Sequence, residues 1–341
     1  MTKDSSAPKQ QKATASDVAK LAGVSKWTVS RAFTPGASVS GKAQKKVLAA
    51  AAELGYRPNL LARSLTKKNT HIIGVAIDEL KNPHSMKMLD AATKELQARG
   101  YMALLLNITE GENYQAVMAM ADQLQVDGIL FLGNILTDEL FAVAHSLHHI
   151  PFVQVCRNNS DQREIDVVNI DGYRAGQDIA ALLLAEGYQR FGYMKGPDTE
   201  SAQLMRLEGY SDALGKAGRQ LDTLLIAGHY DRKLGFETMQ HYLQTTAPQN
   251  RVEALFCEND ILALGALEAL RSQDNGHSLA IVGFDDIDEA DSASWQLTTY
   301  SQQLDKLMTE ALNRLIDSES DELGDWRKGE LKVRRSHLKR S

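Results

Sequence analysis

A chain of 341 residues is too long for one ordinary domain core, and 43% hydrophobic and 24% charged residues with no apolar run of bilayer length exclude a membrane-spanning or wholly disordered protein. The net charge of −6 hides an asymmetry: residues 1–68 hold 13 basic against three acidic residues, a net of +10, while the remainder holds 25 against 41, a net of −16. A compact basic head on an acidic body is the electrostatic footprint of nucleic-acid binding confined to one module.

Residues 1–13 read as a disordered tail, too polar to act as a secretory signal, which points to a chain that stays in the cytoplasm. Residues 14–57 read as three helices. Thr14 with Asp17 makes a capping-box start for a helix to about Ala22, with Val18 and Leu21 inward, and Gly23 supplies the positive φ of a tight turn. Ser25 then caps a second helix, Lys26 to about Phe33, with Val29 inward and Lys26, Trp27, Thr28, Ser30 and Arg31 outward. A third helix follows Ser40 and runs to Gly55, its Val47, Leu48, Ala51 and Leu54 closing the core. This is a helix-turn-helix arrangement, for which an Ala-rich helical hairpin is the plainer alternative.

From His71 short apolar runs alternate with helical stretches: IleIleGlyValAlaIle, MetAlaLeuLeuLeu, GlyIleLeuPheLeu, then a second series beginning near Val167 and continuing through PheGlyTyrMet, LeuLeuIle, AlaLeuPhe and AlaIleValGlyPhe. Repeated βα units imply two lobes, each built on a parallel sheet. Cys156 and Cys257 lie far apart and outside any Cys/His cluster, so neither a disulfide framework nor a metal site is expected. No cofactor motif, GxSxG elbow or HExxH appears, so no catalytic residue is assigned. His148 and His149 precede IlePro and read as surface histidines.

The run AspValAlaLysLeuAlaGlyValSerLysTrpThrValSerArg, followed by GlyTyrArgProAsn and AlaArgSerLeu at residues 55–65, resembles the lac repressor (LacI/GalR-type) family, and the resemblance extends over nearly the whole chain. It implies a helix-turn-helix head, a hinge helix over residues 58–68, and a two-lobed α/β body like that of the periplasmic binding proteins over 69–341. The first lobe would take about 69–160 and 300–317, the second about 161–299 and 329–337. The resemblance places Lys26, Trp27 and Arg31 at base edges in the major groove, with Arg31 suited to guanine, has Thr28, Ser30 and the amide groups at the helix start hold phosphates, and counts Ser25 among the DNA-binding residues. Trp27, with one donor and a bulky ring, suits a thymine methyl or sugar edge better than a hydrogen-bond pattern. Asn59, Ala62 and Leu65 fall in the hinge, Leu65 at the position that wedges the minor groove.

In the body the resemblance marks Arg206 as the main polar clamp on a small effector, Asn259 and Asp285 as hydroxyl partners, and Tyr230 as the stacking aromatic. Relatives that bind sugars often carry an acid where this chain has Cys156 and Arg157. Arg157, Lys195 and Arg206 together would make a cationic site for a sugar acid or sugar phosphate, or else Arg157 and Lys195 pair with body carboxylates. The implied partners are double-stranded palindromic operator DNA, a carbohydrate or acidic derivative of one, and a second copy of the chain, with no cofactor and no membrane. The helix at 83–99, with Met86, Leu89 and Ala92 on one side, is the interface candidate, although the same residues would serve to pack it on the sheet. No leucine heptad follows Ser318, so a dimer is expected rather than a tetramer. The alternative function is a cytoplasmic α/β enzyme or sugar-binding protein with an accessory DNA-binding head.

Overall fold

The computed structural model describes residues 13–34, 36–58, 69–77, 82–108, 114–133, 138–156, 166–197, 205–272 and 279–339. Two compact units divide between Thr70 and His71. The expected amino-terminal tail to residue 12 and the hinge from Asn59 to residue 68 lie outside the described residues.

The head is three helices, α1 (Ala15–Ala22), α2 (Lys26–Ala32) and α3 (Gly41–Glu53). Thr14 and Asp17 form a reciprocal capping box, Gly23 ends α1 at φ 67°, and Ser25 Oγ accepts the Thr28 amide at 3.1 Å to start α2. Each such cap stabilises its helix by about 1 kcal/mol. The core is small-residue packing: Val18, Ala19, Ala22, Val29, Ala32, Val47, Ala50 and Ala51 are buried, and Phe33 meets Tyr56 edge to face. Leu21, Leu48 and Leu54, expected inside, are 48, 46 and 36% exposed. Alanines at 19, 22, 32, 50 and 51 let the helices approach so closely that Val18, Val29 and Val47 fill the remaining space, and the larger leucines are turned outward.

The body begins with β1 (Ile72–Ile77), α4 (Pro83–Ala98), β2 (Met102–Asn107), α5 (Tyr114–Gln123), β3 (Gly128–Leu132), α6 (Asp138–Ser146), β4 (Phe152–Val155) and β5 (Asp166–Val168). These strands form a parallel sheet in the order β2-β1-β3-β4-β5. The central strand β3 is buried along its whole length, whereas edge strand β2 exposes Met102 and Leu105. The second lobe carries α7 (Gly172–Ala185), β6 (Phe191–Lys195), α8 (Arg206–Lys216), β7 (Leu221–Ile226), α9 (Arg232–Thr245), β8 (Ala254–Cys257), α10 (Asp260–Arg271) and β9 (Ala280–Val282), with sheet order β7-β6-β8-β9. The chain returns through β10 (Thr299–Ser301), lays α11 (Leu304–Leu312) against α4 and the first sheet, and pairs β11 (Glu330–Lys332) antiparallel to β10.

One expected boundary moves. The segment from Val167, assigned above to the second lobe, instead pairs with β4 as the edge of the first sheet, Val155 opposite Val168. A three-residue strand at a lobe junction has too little pattern to reveal its sheet, and the chain crosses only after it. The proposed interface residues also divide: Ala92 is fully buried and Leu89 packs against the core, while Met86 is 46% exposed.

The helices of the second lobe cross at glycine. A Cβ on Gly209 would stand 1.9 Å from the Tyr173 carbonyl oxygen, and one on Gly176 would stand 2.2 Å from that of Arg206. The α7–α8 contact is thus backbone against backbone, and it seats the first turn of α8, where Arg206 stands.

Candidate functional site

In the head, α2 presents Lys26, Trp27 and Ser30 fully outward, with Thr28 and Arg31 half-buried. Ser25 and Thr28 hydroxyls bond to each other at 2.9 Å. The Arg31 guanidinium lies 4.4 Å from the centre of the Trp27 ring, and its Nε donates to the Ser38 carbonyl at 3.0 Å. Asn59, Ala62 and Leu65 lie outside the described residues.

In the body, carboxyl ends of strands from both sheets and the start of α4 converge on one polar cluster. Arg206, the first residue of α8, is 6% exposed. Its Nη1 donates to the Glu258 carbonyl at 2.6 Å, its guanidinium carbon lies 3.4 Å from the centre of the Phe284 ring, and its Nε has no acceptor among the described residues. A buried guanidinium lacking a full set of acceptors is costly and marks a place where a ligand oxygen would be held.

Tyr230 reaches the same point: its hydroxyl donates to Glu258 Oε2 at 3.0 Å, beside the Gly196 amide at 2.9 Å on the same oxygen. Its ring packs where a Cβ of Gly196 would come within 2.6 Å, so glycine there makes room for the aromatic. The Tyr193 hydroxyl donates to Glu258 Oε1 at 3.3 Å. Burial pushes the Glu258 carboxyl above the usual carboxylate range, opposed by the Gly196 amide, Arg206 and the two phenols.

Asp285, held at φ 108°, accepts from Gln302 Nε2 at 2.7 Å. Gln302 Oε1 in turn accepts from the Cys156 thiol at 3.4 Å, and burial pushes that thiol up to about 12, so it stays protonated. His84 stands at the start of α4 with Nε2 3.7 Å from Asp285 Oδ1 and Nδ1 unpartnered among the described residues; burial holds its imidazole below the ordinary value. Asn259 caps α10, its Oδ1 accepting from the Leu262 amide at 3.0 Å, so that oxygen is committed to the helix. Asp260, the next residue, is fully buried and accepts from Thr299 Oγ1 at 2.6 Å and the Ile287 amide at 2.9 Å, tying α10 to the start of β10 and the loop before it.

Of the expected cleft residues, then, Arg206, Tyr230, Asn259 and Asp285 come together, Lys195 ends β6 half-buried, and Arg157 lies outside the described residues. The Arg206 charge favours the ionised Glu258 carboxyl and disfavours a charged His84, and Asp285 lies near the same Tyr230 hydroxyl. Glu258, His84, Gln302 and Phe284 were missed in the sequence. Glu258 adjoins Asn259 in CysGluAsnAsp and was in view; His84 and Gln302 meet across 218 positions of chain, and no local pattern links them. Among the described residues no group of His, Cys, Asp and Glu could hold a metal ion, and no helix is long and apolar enough to cross a membrane.

The comparisons with known proteins agree with this division of labour. Residues 14–59 match the bacterial regulatory proteins of the lacI family, and residues 70–311 match the periplasmic binding proteins and sugar-binding domain of the LacI family. The HTH-type transcriptional repressor PurR of Klebsiella pneumoniae (strain 342) is 29% identical over 311 residues, covering 89% of this chain and 90% of that protein, and PurR of Pasteurella multocida is 29% identical over 310 residues, covering 89% and 91%. Among solved structures, the lac repressor dimer bound to operator and the anti-inducer ONPF superposes with a TM-score of 0.79 at 26% identity, covering 96% of this chain and 100% of that one. A complex of the transcriptional regulator CelR with cellobiose shares the fold at a TM-score of 0.65 and 24% identity, covering 95% and 99%. The chain belongs to the LacI family, as a DNA-binding transcriptional repressor with an effector-binding body.

Proposed function

We propose that this repressor binds a palindromic operator as a homodimer, and that a carbohydrate held between its lobes sets its operator affinity. On this reading Lys26, Trp27 and Arg31 face base edges, Ser25, Thr28 and Ser30 hold the backbone, and Asn59, Ala62 and Leu65 form the hinge, with paired Leu65 side chains wedged into the minor groove. Replacing Leu65 by Ser is expected to weaken operator binding at least tenfold, from the loss of a desolvated apolar wedge of roughly 1.5–3 kcal/mol, with effector affinity unchanged. Fluorescence anisotropy on operator DNA and calorimetry on the effector check the two halves separately.

The observation that carries the effector reading is Arg206: a buried guanidinium whose Nε has no acceptor among the described residues, near the Glu258 carboxyl and over the Phe284 ring, with Asp285 buried in the same cluster. A sugar hydroxyl accepts from a guanidinium and donates to a carboxylate at once. A sugar acid or phosphate would gain one guanidinium while facing two carboxylates, so neutral sugars are favoured unless Lys195 and Arg157 turn toward the ligand. Calorimetry against neutral sugars, sugar acids, sugar phosphates and nucleobases tests this. Binding confined to neutral sugars supports it, binding confined to the acids or phosphates moves the charge balance to Lys195 and Arg157, and binding confined to nucleobases overturns the carbohydrate reading.

The dimer reading rests on the exposed apolar residues Met86 of α4 and Met102 and Leu105 of β2, 46, 62 and 46% exposed, which suit the isologous face of a two-fold pair. Sedimentation at micromolar concentration is expected to give a dimer that Met102→Asp weakens; a monomer or a stable tetramer would contradict it.

A further inference from the structure

We propose that Trp27 is a positioning residue for DNA reading: its indole holds the Arg31 guanidinium in the plane from which Arg31 meets a guanine, so the preference for guanine at one operator position depends on Trp27. The proposal rests on the reading of α2 as the base-facing helix.

Positions 27 and 31 are four apart on α2 and therefore share a face. Trp27 is 67% exposed and contributes nothing to the packed core of the head, which is closed by Val18, Val29, Val47 and the surrounding alanines. What the ring does touch is Arg31, whose guanidinium carbon lies 4.4 Å from its centre. On the guanidinium's other constraint, Nε donates to the Ser38 carbonyl at 3.0 Å. A ring face and a carbonyl together restrict both the plane of the guanidinium and its rotation in that plane. Nε is committed to that carbonyl, and the two terminal nitrogens are a pair of donors of the kind that guanine O6 and N7 accept.

An arginine that is free in solution must be ordered when DNA arrives, and an arginine already stacked and bonded is ordered beforehand. The indole itself has a single N–H and cannot distinguish the four base pairs by donor and acceptor pattern. With the ring face turned to Arg31 rather than to a thymine methyl, its contribution to sequence preference runs through Arg31, and the expected signature is a change at the position Arg31 reads rather than at a position of its own.

The test is selection of bound sequences from a random double-stranded DNA library by the full chain, followed by anisotropy on the winning site and its point variants at fixed salt. Wild type, Arg31→Ala, Trp27→Ala and Trp27→Phe are compared, with circular dichroism to verify that each head is folded. Arg31→Ala is expected to erase a guanine preference of roughly tenfold at one position in each half-site. Trp27→Ala should loosen the preference at that same position by about two- to fivefold, and Trp27→Phe, which keeps a ring face, should restore part of it. If Trp27→Ala shifts the preference at a different position and leaves the guanine intact, Trp27 reads bases itself and the proposal falls. It falls equally if Trp27→Ala changes no preference. If Arg31→Ala has no position-specific effect, the reading of α2 fails first and takes this proposal with it.

Discussion

On α2 the side chains Lys26, Trp27 and Ser30 stand in solvent on one short helix, whereas Arg206, Glu258, Asp285, Gln302 and His84 are buried and drawn from five separate places in the body. The first arrangement is local and separable. A change at Lys26 or Trp27 is expected to have little effect on the stability of the head, as is usual for exposed residues away from the core. The second is a network in which Glu258 alone accepts from Tyr193, Tyr230 and the Gly196 amide, so that one change reaches every neighbour. On the proposed assignment of these two sets, operator preference should drift more freely than effector preference.

The sharpest break of that comparison uses glycines. Gly209 lies where a side chain would collide with the Tyr173 backbone, and Gly41, the first residue of α3, has nothing within 4 Å of its Cβ direction. Gly209→Val is expected to cost the body about 3 kcal/mol through overpacking, while Gly41→Ala should leave the head unchanged or stabilise it by up to ~1 kcal/mol. Thermal unfolding of the two variants measures both. Equal effects would show that the body tolerates intrusion as the head does.

Next in size is Arg206→Ala. It removes the donor to the Glu258 carbonyl and the stack on Phe284, and leaves the buried Glu258 carboxyl without the cation that favours its ionised form. Effector affinity is expected to fall about a hundredfold, in line with roughly 3 kcal/mol for a buried charged partner, and Arg206→Lys should recover little, since a point charge neither stacks nor forks. Operator affinity measured without effector should stay within about twofold, because no side chain of the head changes. A matching loss of operator binding would mean that the empty cleft already controls the head.

How much of this was legible differs between the regions for the same reason. The caps, the turn glycine and the outward set of α2 all lie within 18 residues, and local rules reach that far. The leucines at 21, 48 and 54 were misplaced because apolar spacing says which face is available, not whether alanine packing leaves room for it. In the body, alternation of strands and helices disclosed both sheets, but β5 was too short to declare its partner. Arg206, Tyr230 and Asp285 are singled out by family motifs and not by local spacing. His84 and Gln302 carry no motif; the fold brings them together across a separation of 218 positions.

The smallest expected effect, and the cleanest separation of head from body, is in pH. Residues 1–70 contain no histidine, whereas the body buries His84 and His337. Burial lowers both imidazoles from the ordinary value of 6.5, with Asp285 opposing at His84 and Glu186 at His337. For a group depressed in the folded state, stability is fully present above the unfolded value and is lost as pH falls through the folded one, because the unfolded chain takes the proton first. Glu258 and Asp260, raised by burial, run the other way: their contribution is present below the unfolded carboxylate value and is lost as pH rises through their folded values. The wild-type body is thus pulled in both directions below neutrality, and its raw stability profile mixes them. Subtracting the profile of His84→Gln, which retains a polar side chain beside Gln302 and Asp285, leaves the His84 contribution alone. That difference should be flat above pH 6.5 and should slope by at most about 1.4 kcal/mol per pH unit below it, while the melting of the head stays untouched by the substitution. A difference curve that is flat throughout would mean that His84 takes up its proton as readily in the folded cleft as in water, and that the cleft is wetter than its 6% exposure implies.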